Sequence, residues 1–111
     1  MLLIAALRRL LAVLAIAAFL PSLPAFAQSA PTVHLSQLPG PLRDVWYRTK
    51  PEMNDASRCA AAFDVGDPEK MVMRCSVYMR MSGEAERRAL RYCEEKRAEL
   101  RIRGACAIVV E

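Results

Sequence analysis

The chain of 111 residues has a single histidine, His34, and only four glycines. Each scarcity removes a class of function. Acyl transfer by a Ser–His or Cys–His pair needs a positioned imidazole as base, and the one available sits in a proline-rich segment. Phosphate-cradling loops need several glycines close together, and no such cluster exists. No two cysteines stand in a C-x-x-C pair, which speaks against a zinc ribbon and against a thioredoxin-like redox centre. Aromatic residues are few: three Phe, three Tyr and one Trp. No catalytic residue, metal site or cofactor is therefore expected, and the chain reads as non-enzymatic. A small exported enzyme is kept as an alternative.

The first 27 residues carry Arg8 and Arg9, then the apolar run Leu10–Leu20, Pro21, and Ala25-Phe-Ala27. Positive start, short apolar core and A-x-A site describe a secretory signal peptide cleaved after Ala27. The core is shorter than the roughly 20 apolar residues a membrane span needs. The expected place of work is the periplasm or the exterior, with no stable membrane anchor after cleavage. Sixteen cations less Arg8 and Arg9, against twelve acids, leave the mature part at +2. So weak a charge gives no electrostatic case for binding nucleic acid.

About 84 residues bury a modest core and generally need covalent staples. Cys59, Cys75, Cys93 and Cys106 all lie in this part, an even number in an oxidising compartment. Residues 28–43, with three prolines and a glycine, read as a flexible leader, and residues 44–111 as one small disulfide-stabilised α+β domain. Asp44–Lys50 reads as a short strand ended by Pro51. Residues 54–65 fit either a helix or a strand. They lead into Gly66-Asp-Pro-Glu69, whose acids, with Asp64, are turn chemistry rather than a calcium loop. If both arms are strands and the turn centres on Asp67, Cys59 and Cys75 stand opposite each other, within disulfide reach.

Four of the six methionines alternate around Cys75: Met71, Met73, Met79 and Met81. Strict alternation from 71 to 81 predicts a strand with these residues and Val77 in the core, and Arg74, Ser76, Tyr78 and Arg80 facing out. Thioethers select Cu(I), so a methionine-based periplasmic copper site is the sharpest alternative. Met73 to Met79 would span about 20 Å of strand, however, and packing explains the same residues. A helix follows, capped by Ser82, with Ala85, Ala89 and Cys93 along a narrow apolar stripe and Gly104 as its stop. Its mixed charges form a solvated face. Ala105–Val110 then reads as a strand covered on both sides.

The first half of the fold is thus hairpin-like. The second is a strand-helix-strand unit with parallel strands, in which Cys93 bonded to Cys106 would pin helix to sheet. The pattern Ala85-x-x-x-Ala-Leu-x-x-Cys93 with Cys106-x-Ile-Val resembles a helix-to-strand motif of small exported bacterial domains of unknown function. It covers about a quarter of the chain, implies an α+β disulfide fold and carries over no activity.

By elimination, the expected role is that of a binding or accessory domain of the cell envelope, with an envelope protein as partner. Trp46, Tyr47 and Arg48, with Arg74, Tyr78 and Arg80, are the candidate binding residues, because interfaces favour aromatic side chains and arginine. Full reduction of the exported protein is expected to raise its intact mass by four hydrogens. Two free thiols before reduction would contradict the paired cysteines.

Overall fold

The computed structural model describes residues 29–111, so the expected signal segment 1–27 lies outside the described residues. Four strands make one sheet: β1 (Thr32–His34), β2 (Arg58–Phe63), β3 (Met71–Ser76) and β4 (Ala107–Val110), in the order β1-β4-β2-β3. β1 runs parallel to β4, while β2 is antiparallel to both of its neighbours. Helix α1 (Gly40–Thr49) covers one face and α2 (Ser82–Leu100) covers the other. The fold is the small α+β domain that the sequence implies, with both disulfides formed: Cys59–Cys75 and Cys93–Cys106.

The β2–β3 register is the one required by a turn centred on Asp67. Cys59 faces Cys75, and Phe63 faces Met71. The ambiguous segment is therefore a strand, its three alanines notwithstanding. Tertiary packing explains this: Ala60 and Ala62 lie under α2, while Cys59 and Ala61 lie under α1. A strand this narrow lets helices approach closely on both sides.

Several expectations need correction. Asp44–Lys50 lies mostly in α1, not in a strand. Leu38, Leu42, Val45 and Trp46 repeat at helical spacing, and Pro41 sits in the first turn, where its missing N–H costs nothing. The period is hidden when reading starts at Asp44, because half of it lies in the preceding segment. That segment is not a featureless leader. Thr32–His34 forms the parallel edge strand, with the Ile108 N–H donating to the Pro31 carbonyl at 2.8 Å.

The methionine strand stops at Ser76, and residues 77–81 are irregular, with Tyr78 at φ 58°. Its second face is only partly open to water, with Arg74 exposed as expected. Val72 and Ser76 are buried on that side, and Val72 packs in the α2 core; Met71 and Met73 pack in the α1 core. The two strands of the strand-helix-strand unit, β3 and β4, do run the same way, but β2 lies between them. Ser82 is the first residue of α2, after an N-cap at Met81 with no side-chain cap bond.

Arg101, not Gly104, ends α2 in the left-handed region at φ 56°, and the Ile102 N–H returns to the Arg97 carbonyl at 3.0 Å. Gly104 has another task. A Cβ there would collide with the Phe63 backbone carbonyl. Replacing Gly104 with Ala should destabilise the fold by about 1–3 kcal/mol, the usual cost of overpacking a close contact. Gly83→Ala, in open helix surface, should be neutral or slightly stabilising. Urea unfolding of the two variants measures the contrast.

Candidate functional site

The β2–β4 ladder is paired only at Ala60↔Ile108 and Ala61↔Ala107. Beyond the last pair the strands continue as Arg58 and Cys59 on one side and Val109 and Val110 on the other. A cleft of about 480 Å³ opens at this end, lined by Trp46 of α1, Lys50 just past its end, Met53, Asn54, Asp55 and Ser57 of the following turn, Arg58, and the end of β4 through Glu111.

The turn that forms one wall is self-contained. The Asn54 carboxamide oxygen accepts from the Ala56 N–H at 3.1 Å and the Ser57 hydroxyl at 3.0 Å, and the Ser57 hydroxyl accepts from the Asn54 N–H at 2.9 Å. This is the turn chemistry that asparagine and serine favour. The Asn54 side-chain amide also donates to the Met79 carbonyl at 3.0 Å. It thereby ties the loop after β3 to the rim of the cleft.

Two cations reach the cleft. Arg58 donates from Nη1 to the Asp55 and Ser57 carbonyls at 2.8 and 2.7 Å, so its guanidinium is held by the turn. Lys50 Nζ meets Glu111 Oε1 at 2.8 Å. The hydrogen bond to Glu111, and then its charge, hold the lysine above its ordinary pKa. Asp55 and Glu111 are the acids of the lining. Trp46, only 7% exposed, contributes a buried indole Nε1–H with no acceptor among the described residues. An unpaired buried donor costs about 1–3 kcal/mol, and this one is closed off from solvent.

The six candidate binding residues do not form one patch. Trp46 is buried in the cleft wall. Tyr47 and Arg48 are exposed on α1, where the Arg48 Nε–H donates to the Asp44 carbonyl at 3.4 Å. Arg74 lies beyond the opposite face of the sheet, in a shallow depression with Tyr92, Glu95, Lys96 and Glu99 of α2. Tyr78 and Arg80 stand exposed in the loop that Asn54 anchors. Tyr78 is 74% exposed and has positive φ, a backbone state that costs a non-glycine residue and gathers at functional sites.

Lys50, Asn54, Arg58 and Glu111 were not among the expected site residues. Lys50 and Glu111 are 61 positions apart, and no local pattern joins them. Met73 is buried in the α1 core, Met71 and Met79 are half-buried, and Met81 is 63% exposed. The strand ends between the two methionine pairs, so they share no strand face. Among the described residues, no group of three or more His, Cys, Asp or Glu is placed to hold a metal ion.

Compared with protein-family models, curated proteins and solved structures, the chain matches none. The resemblance noted above therefore rests on residue spacing.

Asp64, at the opposite end of β2, is structural. Its carboxylate accepts from the Arg103 N–H at 3.0 Å and the Gly104 N–H at 2.8 Å, bonds that hold its pKa below the usual range. A carboxylate depressed in the folded state contributes stability that is present above its unfolded pKa, and this is lost as pH falls through the folded value. Asp64→Asn should lower the midpoint of thermal unfolding at neutral pH and flatten its decline below about pH 4. A pH series of thermal melts checks both effects.

Proposed function

We propose that this chain is an exported, non-enzymatic binding domain that works in the periplasm or outside the cell and engages an envelope protein. The disulfides support an oxidising, exported setting. Among the described residues no helix is long and apolar enough to cross a membrane. The observation that carries the reading is Tyr78, exposed, left-handed and held beside the cleft by the Asn54–Met79 bond. A large side chain kept in water on a costly backbone conformation contributes little to the core. It is well suited to insert into a partner, because tyrosine loses little side-chain entropy on binding. Arg80, two residues on and exposed, adds a cation to the same loop.

Capture from an envelope extract tests this directly. The Tyr78→Ala/Arg80→Ala double variant should melt within a few degrees of the parent, since neither side chain is buried. It should also lose at least one partner that the parent retains. An unchanged set of captured proteins would count against this loop.

A further inference from the structure

The cleft between β2 and β4 already contains a carboxylate, that of Glu111, bound by Lys50. We propose that this site receives a second carboxylate carried on an apolar body, and that Glu111 is its internal competitor. The inference rests on reading this end of the fold as a binding end, but it uses different residues from the Tyr78 loop.

Two features support the ligand class. First, the cations are built into the cleft. Arg58 commits only Nη1 to the backbone among the described residues, which leaves Nε and Nη2 to donate. Lys50 follows the last residue of α1, its backbone N–H donating to the Trp46 carbonyl one turn back. Second, Trp46, Met53, Val109 and Val110 add apolar surface to a lining that the turn residues Asn54 and Ser57 make polar on one wall. Polar groups set beside apolar surface fix the orientation of a small ligand. Asp55 faces the same space and opposes a dianion, which favours a single carboxylate. The exposed Lys50–Glu111 pair is weak enough to be displaced, as solvent-facing ion pairs generally are.

The ligand chemistry has two ready sources, a fatty acid and the C-terminus of an apolar peptide. Octanoate and N-acetyl-leucine represent them, with octanamide and N-acetyl-leucinamide as uncharged counterparts. Trp46 is the only tryptophan, so its fluorescence reports binding in the oxidised protein purified after export. At least one acid should shift the emission saturably and bind about tenfold more tightly than its amide, as expected for a charge-assisted hydrogen bond. Lys50→Gln should remove that preference, and Glu111→Gln should tighten binding several-fold. Tyr78→Ala/Arg80→Ala should leave acid binding unchanged, so failure here and failure of the envelope-partner reading are told apart. No saturable response to either acid at millimolar concentration, equal binding of acid and amide, or no gain in Glu111→Gln would each overturn the proposal.

Discussion

Cys59 and Cys93 are the largest side chains that the described fold buries completely, and each is half of a disulfide. Most residues around them are small: Ala60, Ala61, Ala62, Ala85 and Ala89 are all buried. The bridges are therefore the centre of the core rather than clips at its edge. Cys59–Cys75 spans the β2–β3 ladder on the α1 side, while Cys93–Cys106 joins α2 to the start of β4 on the other. With alanine between them, helices and sheet come close but bury little apolar area per residue. Bridges with sequence separations of 16 and 13 contribute about 3 kcal/mol each in the chain-entropy model. Against a total stability of roughly 5–15 kcal/mol for a small domain, that contribution decides whether the chain folds.

The same constraint shapes the open end of the sheet. β2 is pinned to β3 by the disulfide and to β4 by its last two pairs only. Past those pairs β4 stays with β1 as far as His34↔Val110, and the sheet divides. The side chains that meet at the opening come from α1, the turn after it, β2 and β4. None of these segments could form the cleft alone. At the far end of β2 the packing is the reverse: Asp64 receives two backbone N–H groups, and Gly104 presses against Phe63. One end is closed by backbone contact, and the other is left open with charge inside it.

Much of the frame was legible because it follows from local rules. The turn at Asp67 sets the β2–β3 register, and an even set of cysteines in so small a domain implies two bridges. The stripe Ala85, Ala89, Cys93 marks the buried side of α2. What escaped reading depends on distant contacts. Alternation from Met71 to Met81 suggested one wet face, but the strand ends at Ser76, and Val72 and Ser76 on that face are buried because a helix packs on each side of the sheet. Of these helices, α1 was hidden in a segment dominated by prolines. Tyr78 and Arg80 were identified as outward-facing for the wrong reason: they leave the strand instead of continuing it. Lys50 and Glu111 meet only because β4 returns beside α1, and nothing near either residue announces the pair.

The most direct test of the central claim, that the disulfides are the core, is equilibrium unfolding of the fully reduced chain. Near-ultraviolet circular dichroism and Trp46 fluorescence at 25 °C would follow it. The fold described here predicts that the reduced protein has no cooperative transition and exposes Trp46 to water without denaturant. A sharp two-state unfolding curve, with its midpoint only slightly below that of the oxidised protein, would contradict it.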